Sequence, residues 1–182
     1  MADSYRLTVL KRLTTLLEGM TLTEYGYADA TLEGPALMTG CVIRGRLVFG
    51  DNDPKTMISI LEAPRSDGFV FSLDGTRLDR WPLLIQGWRP DDKTHATDPL
   101  YSMVDDVERR LSRITAVSPN TGYPKYSTDY LLGAALDGTG QLIGSFEMGA
   151  PIVRPATNAQ GVSSRSFMYI PVQVGLARIA VD

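Results

Sequence analysis

The sequence predicts an α/β fold of the α+β kind, a mainly antiparallel β-sheet with two amphipathic helices packed on it in a single domain. Three patterns carry that reading. Val9, Leu10, Leu13, Leu16 and Leu17 recur at helical spacing near the start, and Leu100, Met103, Val104, Val107, Leu111 and Ile114 do so past the middle. Near the end, Met168, Ile170, Val172, Val174 and Leu176 alternate at a period of two, the mark of a strand with one buried face. With 182 residues, 43% of them hydrophobic and 21% charged, the chain is long enough to bury one core, and no shift of composition divides it. Residues 1–182 are therefore expected to form one domain, with a long exposed loop at 154–165.

Asp3 or Ser4 can cap the first helix, and Gly19 stops it. Its leucine stripe is expected to cover one face of the sheet. Met20 to Thr39, broken by Gly26, Gly34 and Pro35, reads as an irregular connection with one short strand near Tyr25–Ala28. Gly40 to Phe49 reads as a strand in which Ile43, Leu47 and Phe49 point one way, with Arg44 and Arg46 on the wet or partner-facing side. The polar break Gly50–Lys55 carries Gly, Asp, Asn and Pro, residues suited to chain reversal. It predicts a hairpin returning antiparallel through Met57 to Glu62, which has apolar residues on both faces and so belongs near the sheet centre.

Arg65–Arg77 contains Asp67-Gly68 and Asp74-Gly75 and predicts a small hairpin or an excursion of the sheet. Trp81 to Trp88 reads as a buried strand with Pro82 near its start. Asp98-Pro99 opens the second helix as N-cap and first residue, and the acid of each pair Asp105–Arg109 and Asp106–Arg110 lies four residues N-terminal to its arginine. Pro119 to Asp129 is a Gly, Pro and Tyr-rich loop. Tyr130–Leu136 and Leu142–Met148, separated by Asp137-Gly138, resemble a strand pair, although the first could also be one helical turn. In the last strand Pro171 lacks a donor, which puts that strand at an edge or the proline opposite a bulge.

Charge and residue inventory narrow the function. A net charge of -3 with interspersed signs lacks the basic footprint that neutralises phosphates, so nucleic acid is disfavoured as the main partner. Cys41, the only cysteine, excludes an intrachain disulfide, and its apolar neighbours predict a buried structural thiol. No run of apolar residues is long enough to span a bilayer, no signal peptide is recognisable, and the expected compartment is a cytoplasm. His95, the only histidine, lies in a polar segment without a nucleophile elbow elsewhere, and no metal-ligand or phosphate-loop motif occurs. Asp51, Asn52 and Asp53 read as turn residues. Asp91, Asp92 and Asp98 read as solvated loop and cap residues. Catalytic residues, cofactors and metals are all expected to be none.

One further signal lies in the order of segments. The Leu10–Leu17 helix, Arg44-Gly-Arg, Phe49-Gly-Asp-Asn-Asp-Pro, Met57-Ile-Ser-Ile-Leu-Glu-Ala-Pro, Leu84-Ile-Gln-Gly-Trp, the Asp98-Pro99 helix and the closing Gly161-Val-Ser-Ser-Arg-Ser-Phe-Met-Tyr-Ile-Pro strand together resemble the tail-terminator, or tail-completion, proteins of tailed bacteriophages. The resemblance covers most of the chain and rests on combined order. It implies a small α/β domain, without enzymatic activity, that forms a ring, commonly sixfold. Such a ring caps the head-proximal end of the tail tube, ends tube growth and offers a surface to the neck or head-completion proteins. The implied partners are the chain itself, commonly as a hexamer, the tail tube protein, a stopper or connector and, in contractile tails, the sheath. No membrane and no sequence-specific nucleic acid is implied, with DNA free to pass through the lumen. The implied location is the virion, after assembly in the host cytoplasm.

A closed ring needs two different complementary patches on each subunit. Arg44, Arg46, Arg154, Asn158, Gln160 and Arg165 are the candidate interface residues, because arginine bonds carboxylates bidentately and the 154–165 loop is polar and free of core obligations. That loop is expected to gain order on docking. Two other readings stay open. One is another head-tail junction protein: a stopper, an adaptor or a tube subunit. The other is a small enzyme or ligand-binding domain with a pocket around His95.

Overall fold

The computed structural model describes residues 4–34, 36–47, 52–63, 77–133, 142–156 and 165–178. Two α-helices and six strands make a mixed, mainly antiparallel sheet with both helices on one face, the α+β architecture that the periodicities predict. In chain order these are α1 (Tyr5–Glu18), β1 (Val42–Arg44), β2 (Met57–Glu62), β3 (Arg77–Trp88), α2 (Asp98–Leu111), β4 (Ser145–Met148), β5 (Ile152–Arg154) and β6 (Phe167–Arg178). The sheet order is β1-β2-β3-β6-β4, with β5 also pairing β6.

α1 forms where its stripe and cap agree. The Ser4 hydroxyl accepts from the Leu7 N–H, and Val9, Leu13, Leu16 and Leu17 are buried. α2 starts one residue earlier than expected, with Thr97 as N-cap, Asp98 as first residue and Pro99 second. All six of the predicted apolar residues of that region are buried. The charged partners differ from the expected spacing: Asp106 pairs with Arg109, and Arg110 reaches across to α1 and Asp129.

The central ladder joins β3 and β6, twelve residues each and antiparallel. Trp81, Leu83 and Ile85 of β3 and Met168, Ile170, Val172 and Val174 of β6 share the helix-covered face with Ile58 and Ile60. Gly87 lies on that face beneath Met103 of α2, and its missing side chain allows the helix to come close. Pro82 falls inside β3 rather than near its start. Its carbonyl accepts from Ala63, so its missing donor faces the end of β2, where the ladder stops.

Several expectations are corrected. The predicted antiparallel hairpin is a parallel pair, Val42–Arg44 against Ile58–Ile60. Gly45, at φ +72, ends β1 at once, and Leu47 is 70% exposed instead of facing the core. The connection from β1 to β2 is thus a crossover rather than a hairpin turn, and β3 takes the other flank of β2. The Arg46 N–H donates to Ser59 Oγ and its guanidinium pairs with Asp53, drawing the segment back onto β2. Tyr25–Ala28 is not a strand. Tyr27 instead buries its ring and donates its hydroxyl to the Pro90 carbonyl at 2.8 Å. Tyr130–Leu132 is one 3-10 turn, and Ser145–Met148 pairs with β6, so the strand pair expected there does not form. The predicted hairpin at 65–77 falls largely outside the described residues.

β6 lies inside the sheet, and the bulge alternative is the one realised. Met148 pairs with Val172 and Ile152 with Tyr169, so residues 149–151 oppose only 170–171. Gly149 donates to the Pro171 carbonyl, and the donor that Pro171 lacks falls at this break between β4 and β5. Among the described residues, no helix is long and apolar enough to cross a membrane.

Candidate assembly surfaces

The sequence-predicted arginines separate to opposite ends of the sheet. Arg44, exposed, ends the outermost strand β1 and reaches Thr14 of α1 at 3.4 Å. Between α1 and β1 runs an open groove of about 570 Å3 lined by Lys11, Thr14, Thr15, Glu18, Val42, Ile43 and Arg44. Glu18 is partly engaged there, accepting from the Gly40 N–H at 3.2 Å. Arg46 is held within the chain by Asp53, as described above. At the far end of the sheet, Arg154 is exposed at the end of β5.

Arg165, half-buried, donates from Nη1 to the Pro54 and Lys55 carbonyls at 3.0 and 3.1 Å, while the Ser166 N–H donates to Asp91. The start of β6 is therefore tied to the entry of β2; of the expected 154–165 loop, Arg154 ends β5 and residues 157–164 lie outside the described residues. Asn158 and Gln160 lie outside the described residues. The four described arginines of the predicted set thus do not form one patch.

Sequence reasoning missed two polar assemblies. The first is a clamp on Thr23. Asp106, 4% exposed, accepts from the Thr23 N–H and hydroxyl, while Arg89, equally buried, donates to the Thr23 carbonyl at 2.9 Å. Arg89 also donates to the Pro99 carbonyl and Ser102 Oγ, so the end of β3, the first turn of α2 and the irregular 20–39 segment are locked together. Its signal was an arginine directly after the apolar run Trp81–Trp88, a place where only a satisfied cation can be buried.

The second is a basic cleft of about 200 Å3 lined by Arg12, Thr15, Arg110, Thr128 and Asp129. Arg110 Nε donates to the Leu16 carbonyl at 2.7 Å, and Asp129 draws in both Arg110 and Arg113. Burial, and then Arg113, lowers the Arg110 pKa against the opposing pull of Asp129.

Other polar groups have local duties. The Asp92 carboxylate accepts from the N–H groups of His95 and Thr94, which holds it below the usual carboxylate range. His95 is exposed and lines neither cleft. Burial, with Glu18 adding to it, pushes the Cys41 thiol up, and Cys41 is buried as its neighbours predict. No group of three or more His, Cys, Asp or Glu residues suited to a metal occurs among the described residues. The described surfaces offer hydrogen-bonding edges and cationic donors.

Tyr27 is expected to set an alkaline limit on the fold. Burial pushes its phenol up to about 12, Arg89 pulls it down, and Tyr25, Asp91 and Asp92 add to the rise. A raised folded-state value means that the neutral form is favoured on folding. Its contribution is complete below the ordinary tyrosine value near 10 and is lost as pH climbs through about 12. Denaturant midpoints of the wild type are expected to fall over that window, and those of Tyr27→Phe to fall less steeply. Parallel curves would show that Tyr27 does not set the limit.

In comparison with known proteins, no family model and no curated sequence matches this chain.

Proposed function

We propose that this chain is a ring-forming structural protein of a tailed-bacteriophage virion, a tail terminator that caps the head-proximal end of the tail tube. It ends tube growth and joins the tail to the neck. Its partners on this reading are further copies of itself, six to a ring, the tube protein, a stopper or connector and, in a contractile tail, the sheath. It assembles in the host cytoplasm and carries out no catalysis.

The reading is supported by the order of sequence segments given above and by helices layered on one face of a mainly antiparallel sheet. One observation carries it furthest. The two ends of the sheet are chemically different edges, β1 with Arg44 beside the α1 groove and β4–β5 with Glu147 and Arg154, and no described residue pairs with either outer side. A heterologous ring needs two such unlike patches on each subunit.

Tube length is the decisive measurement. Tails assembled in cells that express the chain should have one uniform length, and tails assembled without it should be longer and variable. Uniform lengths in both would sink the terminator role in favour of a stopper or adaptor. Absence of the protein from purified virions would sink every junction role.

A further inference from the structure

The two sheet edges have matching direction, facing and hydrogen-bonding capacity. In β1, the Cys41 carbonyl accepts from Ile58 and the Gly45 N–H donates to Ile60, each at 2.9 Å. Cys41, Ile43 and Gly45 therefore turn their backbone groups toward β2, and Val42 and Arg44 turn theirs outward. In β4, the Gly149 N–H bonds the Pro171 carbonyl, and Glu147 and Ser145 follow at the same phase opposite Gln173 and Gly175. Phe146 and Met148 consequently turn their N–H and C=O groups outward. Each edge thus presents two residues ready to pair.

Direction follows from topology. β1 runs parallel to β2, and β3, β6 and β4 then alternate, so β4 runs opposite to β1. A second copy rotated about an axis along the strands would bring its β4 antiparallel to β1 of the first. Facing agrees as well. Val42 and Arg44 lie opposite Ile58 and Ile60, and Phe146 and Met148 lie opposite Val174 and Val172, all on the helix-covered face. Joining these edges would keep the helix layers of both copies on one side.

We propose that the outer edge of β1 in one copy pairs antiparallel with the outer edge of β4 in a second copy, Val42 opposite Met148 and Arg44 opposite Phe146, making a sheet continuous between subunits. This register uses all four outward-facing residues. It brings Met148, an apolar side chain 39% exposed, to the mouth of the groove between α1 and β1, where an unbranched thioether can adapt to Thr14, Thr15 and Val42. Glu147, the only charged residue of β4, falls opposite Ile43 on the face away from the helices, so the register buries no charge in the groove. The occupant is a second copy because the complementary edge belongs to the same chain and leaves a further free edge at each step, as a closing ring requires. The short edges supply register, and the groove supplies the burial. Closure into a ring rests on the reading above; the edge pairing itself does not require a phage.

Cysteine cross-linking tests it. In a Cys41→Ser background, Ile43→Cys and Glu147→Cys are combined, because the register makes them directly opposite and non-hydrogen-bonded. Such pairs have Cα atoms roughly 4.5 Å apart, within disulfide reach. Mild oxidation of the purified protein is expected to give a ladder of covalent multimers on non-reducing gels. Neither single-cysteine variant should give a ladder, and Ile43→Cys with Ser145→Cys, out of register, should yield on the order of tenfold less product. Native mass spectrometry of the unoxidised protein runs alongside. Multimers without the ladder would overturn the edge pairing and leave the ring reading standing. A monomer at every concentration would overturn the pairing as a property of the chain, while tube length would judge the terminator role separately.

Discussion

Arg89→Met is expected to destabilise the protein by about 3 kcal/mol, in the range for groups bonded to a buried charge and then left without it. The apolar replacement preserves most of the volume, so the loss isolates the hydrogen bonds. Methionine abandons the Thr23 and Pro99 carbonyls and Ser102 Oγ, of which only the Pro99 carbonyl retains a described donor, Ser102 at 3.0 Å. Asp106→Asn removes the charge from the other jaw and is expected to cost roughly 1.5–3 kcal/mol, as charge-assisted hydrogen bonds do. Because both side chains hold Thr23, their effects should not add. In urea melts, the double variant should be more stable than the sum of the singles predicts, by about 1 kcal/mol. Additive losses would mean that each residue anchors a separate part of the fold.

Gly87→Val should cost about 2–3 kcal/mol by overpacking, whereas Gly87→Ala should cost much less. A Cβ at this position would come within 2.7 Å of Met168 Cε and 2.8 Å of Met103 Cε. Both are ends of flexible side chains, which can retreat from one methyl group but not from a branched side chain pressed between sheet and helix. The thermal midpoint reports the difference. A valine variant as stable as the wild type would show that α2 is not held close to the sheet at Gly87.

The sequence made the core legible and the pairing only partly so. Stripes such as Leu13 and Leu17, Val107 and Leu111, or Ile170 and Val172, mark burial because their period is local and each face is apolar throughout. The partner of β1 could not be read this way. Val42 and Ile43 fit a strand, but the nearby Asp-Asn-Asp-Pro segment carries turn chemistry that is equally at home in a hairpin and in a crossover. The two differ in the direction in which β2 runs beside β1, and the composition of the connecting segment does not encode that direction.

Candidate site residues were legible to the same uneven degree. Arg44 reads as a strand residue and Arg154 as the end of a polar loop; they end β1 and β5, at opposite ends of the sheet. Arg46 and Arg165 look no different in sequence, yet one closes on Asp53 and the other on two backbone carbonyls. Charge pattern names a donor without naming its acceptor. Asp106 shows the converse: its i,i+4 spacing offers Arg110 as a partner, whereas it pairs with Arg109 at i,i+3 and, through tertiary packing, with Thr23.

The β3–β6 ladder carries a consequence in time. Its paired residues are about 80 to 100 positions apart in the chain, a high sequence separation for the longest ladder of the sheet. During synthesis β3 must wait for β6, and β4 has no strand to lie against until the same moment. A nascent chain could offer β1 early but not the edge that would receive it. Pairing through both edges, which extending a row of subunits requires, is then confined to chains translated through β6; a half-made subunit can end such a row but cannot continue it.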